Sequence, residues 1–259
     1  MNDGVAAFVA ARAARPLPFA VPADARPQTA AEGYALQRRV HDAIVAGGRR
    51  RTGFKVACTT AATQAAMGTT GPAYGGMFDD TFAPSLDAAL ARCPTRFALE
   101  CEIAVRIGGD VDPGQPWTAA TIGDRISSCA IAAEIVHNRY GDLLQTGLPT
   151  LIAADFLHAA YALGDWRPLA DAGPLDALRA RMWIDGTLVA EDVASTVMGH
   201  PLASVAWLAG ALAAAGLRLR TGDVVLTGAI VPPRWLDRAP LSARIEVDRL
   251  GNLASGGGR

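Results

Sequence analysis

Three carboxylates have the spacing of a hard-cation site. Glu100 and Glu102 lie in the stretch Phe97-Ala-Leu-Glu-Cys-Glu-Ile-Ala-Val-Arg-Ile107, and Glu134 lies in the apolar run Cys129–Val136. The first stretch alternates strictly, with Phe97, Leu99, Cys101, Ile103, Val105 and Ile107 on one parity and Ala98, Glu100, Glu102, Ala104 and Arg106 on the other. A strand turns successive side chains to opposite faces, so both acids project from one side, beside small alanines. An acid inside an apolar run is costly unless it is compensated. Mg²⁺ or Mn²⁺, which prefer carboxylate oxygens, would compensate all three acids at once. The alternative is a solvated strand face for Glu100 and Glu102, with Glu134 paired to Arg139 or another base.

Other residues offer chemistry around this set. Lys55 lies centrally in Gly53-Phe-Lys-Val-Ala57, where it either snorkels outward or sits in a site able to bind an anion or move protons. Asp79 and Asp80 follow Gly75-Gly76, an arrangement expected of a glycine-hinged lid carrying a catalytic acid. His137, Asn138 and Arg139 directly follow the run bearing Glu134, and an arginine there can hold a substrate carboxylate bidentately. Asp155 and His158 share one face of Leu151–Leu163 if that run is helical, but it reads equally as strand. His200 precedes Pro201 as a helix cap. There is no G-x-S-x-G, phosphate-binding loop or dinucleotide fingerprint, so nucleophilic serine or cysteine catalysis has no support.

The elements that must position these groups read as α+β. The 259 residues suffice for one large core or two small ones. Thr29-Ala-Ala-Glu32 is a capping box opening a helix that stops at Gly47-Gly48, and a shorter helix is predicted over residues 3–14. Pro16, Pro18, Pro22 and Pro27 make the segment between them an extended connector. Residues 1–50 are therefore expected to form a helical N-terminal region packed on a β-rich catalytic domain of residues 51–254, followed by a flexible tail of residues 255–259. Strands are predicted at Gly53–Ala57, Phe97–Ile107, Ser128–Val136, Asp223–Thr227 and Ser242–Val247, with a hairpin turning at Asp185-Gly186.

A formal net charge of −1 gives no electrostatic footprint for nucleic acid or an anionic membrane. The four cysteines form no C-x-x-C, which fits reduced thiols in a cytoplasm. The opening residues lack the pattern of a secretory signal. The Ala-rich run Pro201–Leu217 fits a buried core helix better than a membrane crossing.

The order of motifs adds a further layer. Gly53-Phe-Lys-Val-Ala-Cys-Thr59, Gly71-Pro-Ala-Tyr-Gly-Gly-Met-Phe-Asp-Asp80, Leu99-Glu-Cys-Glu-Ile103, Ala133-Glu-Ile-Val136, Met198-Gly-His-Pro-Leu-Ala-Ser-Val-Ala-Trp-Leu208 and Thr221-Gly-Asp-Val-Val-Leu-Thr-Gly228 follow one another. This series resembles the 2-keto-4-pentenoate hydratase and 4-oxalocrotonate decarboxylase branch of the fumarylacetoacetate hydrolase superfamily, from about Tyr34 to Glu246. The resemblance implies a mixed β-roll core, Mg²⁺ or Mn²⁺ on Glu100, Glu102 and Glu134, and homo-oligomeric assembly. It also implies a small 2-oxo or 2-hydroxy dienoic acid as substrate, hydrated or decarboxylated in meta-cleavage degradation of aromatic compounds. Lys55 and Asp80 correspond to the family's lysine and lid acid. Two stretches depart from the family: Ala154-Asp-Phe-Leu-His158 stands where Asp-Asn-Ala-Ser is usual, and Val136-His-Asn-Arg139 where Val-Asp-Ser-Arg is common. Leu157, His158 and His137 are thus expected near the substrate with Asp79 and Arg139, the histidines as replacement acid–base groups. An acylpyruvate C–C hydrolase, and a non-catalytic partner of a sister hydratase or decarboxylase, are the further readings.

Overall fold

Alternating apolar residues build two sheets in the computed structural model, which describes residues 4–13, 21–93, 95–140 and 146–256. The larger sheet contains β1 (Arg51–Ala57), β2 (Ala73–Phe78), β3 (Phe97–Ile107), β4 (Ile126–His137), β5 (His158–Leu163), β6 (Arg167–Pro168), β9 (Val224–Leu226) and β10 (Arg234–Leu236). Its order is β2-β1-β9-β3-β4-β5, with β10 also on β3 and β6 on β4. The β1–β9 ladder is parallel and the β3–β4 ladder antiparallel, so the sheet is mixed. The smaller sheet contains β7 (Arg179–Ile184), β8 (Thr187–Val193), β11 (Ala243–Val247) and β12 (Gly251–Ser255), in the order β12-β11-β7-β8. The predicted α+β roll is what the chain adopts.

The odd-numbered residues of β3 belong to the main core: Leu99, Cys101, Ile103 and Val105 share a cluster with Ile131 of β4, Met182 of β7 and Ile245 of β11. Committing that parity to the core turns Glu100, Glu102 and Ala104 to the other face of the same strand. Helices α1 (Gly4–Ala13) and α2 (Ala30–Ala46) form a second cluster, in which Phe8, Leu36, Val40 and Ile44 meet Phe78 and Ala153. Thr29 caps α2 by accepting from the Glu32 amide at 3.2 Å, while Glu32 accepts from the Gln28 amide at 2.7 Å. The reciprocal bond of the expected box thus lands one residue early.

Three further helices matter here: α3 (Ala61–Met67), α4 (Leu148–Ala153) and α5 (Pro201–Ala214). The stretch Ala194–Ala214 is long and apolar enough to cross a bilayer by length and composition, and half of it is buried inside the protein. Val205, Leu208 and Leu212 enter the main core, as expected of a core helix. His200 caps α5, its Nδ1 accepting from the Leu202 amide at 3.0 Å.

Two sequence expectations change. Gly75 and Gly76 form no lid hinge; they are buried mid-strand in β2, opposite Lys55 and Phe54. They are small because neighbours press on them: a Cβ on Gly75 would lie 2.8 Å from Asp155 Cα, and one on Gly76 2.6 Å from the His41 ring. The ambiguous run Leu151–Leu163 is both helix and strand, divided by a turn in which Asp155, Phe156 and Leu157 all have positive φ (53°, 48° and 65°). Three consecutive non-glycine residues in the left-handed region store strain that the surroundings must hold.

Candidate metal and substrate site

The β3–β4 register places Glu100 directly opposite Glu134, with Glu102 two residues along the same face. Directly opposed residues hold their Cβ atoms about 5 Å apart. The three side chains each offer an oxygen within 4.8 Å of the others. Glu102 and Glu134 are fully buried. Lys55 projects from β1 and places Nζ 3.1 Å from Glu134 Oε1. His158, at the start of β5, donates from Nδ1 toward the same oxygen at 2.9 Å. Its Nε2 lies 3.0 Å from Thr81 Oγ1, which also lies 2.8 Å from the Phe78 carbonyl. The single hydroxyl proton serves one of these acceptors at a time, and a neutral His158 takes it.

Burial and charge set the protonation. Burial, then the charge on Glu134, pushes the Glu100 carboxyl up to about 7. Burial and both neighbouring glutamates hold Glu102 well above the usual carboxylate range. Burial would raise Glu134 too, but Lys55 and His158 outweigh it and hold that carboxyl low. Lys55 is raised despite its burial, because it faces all three glutamates. Burial depresses His158, which is therefore neutral at pH 7. The result is an ammonium–carboxylate pair beside two acids that ionise reluctantly.

The donor set fits a divalent cation. Glu102 Oε1 and Glu134 Oε2 are buried without any hydrogen-bond partner, an arrangement that leaves costly orphaned acceptors. Three carboxylates against one ammonium leave two uncompensated negative charges, matching one such ion.

Lys55 and Glu100 open onto a cavity of about 480 Å³, whose wall also carries Met67, Leu151, Phe156 and Leu157. The left-handed turn aims the last two. Asp155 anchors it, accepting from His41 Nε2 at 2.7 Å and from the Gly76 amide at 2.8 Å, with Arg12 at 3.5 Å. Burial would raise Asp155, but His41 and Arg12 hold it below the usual range.

The remaining expected site residues lie elsewhere. His158 is enclosed, with both nitrogens engaged on Glu134 and Thr81, and is not among the residues that line the cavity. Arg139 does not pair with Glu134; its guanidinium donates to the His158 carbonyl at 2.7 Å. Arg139, His137 and Asp80 line a separate polar cavity of about 180 Å³ with Arg12, Thr81 and Arg92. Asp80 is held there by Arg12 and Arg49, each at 3.6 Å. Asp79 binds the Arg50 backbone at the end of the β1–β2 pair. The reason is shared: Asp79 and Asp80 follow β2 in a fixed 3-10 turn, and His137 ends β4 past the carboxylate register. Sequence reasoning missed His41, whose only signal was a histidine on the apolar face of α2. It also missed Val231 and Trp235, carried to the cavity by a loop and the short β10.

This mixed roll, with acidic side chains on one strand face, matches the family model "Fumarylacetoacetate (FAA) hydrolase C-terminal" over residues 70–255. The chain belongs to that family. Among its relatives, the TodF product hydratase of Pseudomonas putida is 33% identical over 202 residues, covering 77% of this chain and 74% of the relative. The 2-keto-4-pentenoate hydratase of Paraburkholderia phymatum is 30% identical over 200 residues, covering 77% of this chain and 75% of the relative. In fold, the chain is similar to 4-oxalocrotonate decarboxylase from Pseudomonas putida G7, complexed with magnesium and adipate. That match has a TM-score of 0.85 at 23% identity and covers 98% of this chain and 97% of the other.

Proposed function

We propose that this protein is a divalent-metal-dependent hydro-lyase that adds water to a 2-hydroxy-2,4-dienoic acid or its 2-oxo tautomer in the degradation of aromatic compounds. The observation that carries the reading is the buried Glu100–Glu102–Glu134 cluster, with two orphaned oxygens, beside Lys55 and a largely apolar cavity. The two hydratase relatives support the same reaction.

Glu100, Glu102 and Glu134 would hold Mg²⁺ or Mn²⁺. The bound ion supplies Lewis-acid stabilisation of negative charge developing on a 2-oxo oxygen. The chain's own groups do the rest. Lys55 holds a proton on Nζ at the cavity wall, where it can neutralise the substrate carboxylate or deliver that proton to the dienol system. His158 fixes the rotamer of Glu134 through Oε1 and leaves Oε2 free to ligate. Burial of Lys55, Glu102 and Glu134 keeps water from these groups, which strengthens each of their electrostatic contacts.

A decarboxylase is the second reading, favoured by the similarity in fold to 4-oxalocrotonate decarboxylase. Product mass separates the two. Purified protein with Mg²⁺ or Mn²⁺ and 2-hydroxypenta-2,4-dienoate should yield a product heavier by one water, and a chelator should abolish the gain. Loss of carbon dioxide from 2-hydroxyhexa-2,4-dienedioate would establish the decarboxylase instead. Absence of chelator-sensitive turnover on either acid would sink both readings and leave a C–C hydrolase or a non-catalytic partner. The reading further takes the protein as a cytoplasmic homo-oligomer able to join a sister enzyme of the other activity; sizing of the purified protein, alone and mixed with such an enzyme, tests that.

A further inference from the structure

The cavity is larger and less polar than a short dienoic acid needs. Its 480 Å³ are bounded by a mostly apolar wall that carries Met67, Leu151, Phe156, Leu157, Val231 and Trp235, with four threonines as its neutral polar members. Its charged members among the described residues are Lys55, Glu100 and Asp192. Lys55 is committed to Glu134 and faces the other two glutamates. Among the described residues, no second cation on the wall remains for another carboxylate. Arg139 opens into the other cavity. Arg96 lies over the Trp235 ring at 5.8 Å, but its side chain is mostly exposed, 3.8 Å from Asp237, and does not line the wall. Asp192 adds repulsion. A carboxylate buried among apolar groups without a partner loses its hydration uncompensated, whereas an alkyl chain there gains about 0.8 kcal/mol for each CH₂ buried.

From this we infer that the substrate carries one carboxylate, at the Glu100–Lys55 end, and an uncharged apolar tail along the Met67–Trp235 wall. The class is a 5-alkyl-substituted 2-hydroxy-2,4-dienoate (or its 2-oxo tautomer) rather than a dienedioate. The inference rests on the proposed function for the position of the carboxylate, but not on which bond is made or broken.

Calorimetry on the Mg²⁺-loaded protein with 2-oxoheptanoate and 2-oxoadipate, acids of similar length that differ in the distal charge, tests it without turnover. The monoacid is expected to bind at least about 30-fold more tightly. Turnover of 2-hydroxyocta-2,4-dienoate should exceed that of 2-hydroxyhexa-2,4-dienedioate by a similar factor in kcat/KM. Equal or tighter binding of 2-oxoadipate, binding of neither acid, or preferential turnover of the dienedioate would overturn the inference. The expected binding preference without turnover of either dienoate or of 2-hydroxypenta-2,4-dienoate would support the tail site while refuting the hydratase reading.

Discussion

Replacing Glu100 by glutamine should make the metal-free protein more stable while weakening its response to metal. Glu100 is pushed up to about 7 from an ordinary 4.5, by burial first and by Glu134 second. Holding it ionised above pH 7 therefore costs the folded state roughly 3 kcal/mol, at 1.36 kcal/mol for each pH unit between the two values. The sign follows from which state binds the proton more tightly. The native carboxyl does, so wild-type stability falls as pH rises from about 4.5 to 7 and stays lowered above that. Glutamine keeps the shape and removes the charge. In chelator-treated samples, urea denaturation at pH 8 should show the Glu100→Gln variant more stable by about 1–3 kcal/mol, after allowance for imperfect amide pairing. The gap should shrink below about 1 kcal/mol at pH 5. Added Mg²⁺ at a hundredfold excess over its Kd should raise wild type by about 2.7 kcal/mol and the variant by much less. A variant no more stable at pH 8, or a gap independent of pH, would refute the clustering of uncompensated acids.

Other substitutions separate the roles of the neighbours. Lys55→Met removes the ammonium that offsets Glu134, and should cost about 3–5 kcal/mol without metal; thermal melts read the loss, and turnover should fall at least about 100-fold. Asp155→Ala strips His41, Arg12 and the Gly76 amide of their acceptor; a loss of about 3 kcal/mol is expected in denaturant titrations. Because Asp155 is held below its usual range, that loss should be level above about pH 5 and shrink as pH falls through its native value. Gly53→Ala would set a Cβ 1.8 Å from the Val224 carbonyl at a φ of 154°; parting the β1–β9 ladder should cost about 3 kcal/mol or more, and a melt unchanged from wild type would contradict this register.

Period-2 patterning made the carboxylate platform legible, because one parity of β3 is wholly apolar and its core assignment fixes where Glu100 and Glu102 point. The Asp185-Gly186 hairpin and the Pro201 helix were legible for equally local reasons. The opposition of Glu100 and Glu134 was not, since register between strands some thirty residues apart is settled by pairing across the sheet. Nor was β2, where glycines replace the usual strand formers because Asp155 and His41 press against them. Proximity in sequence put His137 and Arg139 beside Glu134, but residues at and beyond the end of a strand lie past its carboxylates, and here they line a different cavity together with Asp80.

The turn at Asp155–Leu157 ties these observations into one device. It is strained, so it persists only while Asp155 is held, and its holders come from α1, α2 and β2. Gln37 of α2 binds the Tyr74 and Ile152 carbonyls beside it, at 3.0 and 2.7 Å, and fixes α2 to both β2 and α4. The turn reaches both sides of the candidate site: Phe156 and Leu157 line the cavity, and His158 bonds Glu134 at 2.9 Å. Cavity shape and carboxylate orientation therefore share one support, and a change at His41 would disturb both without touching the substrate. Ala154–His158 is thus a stretch that the N-terminal helices help to hold in place.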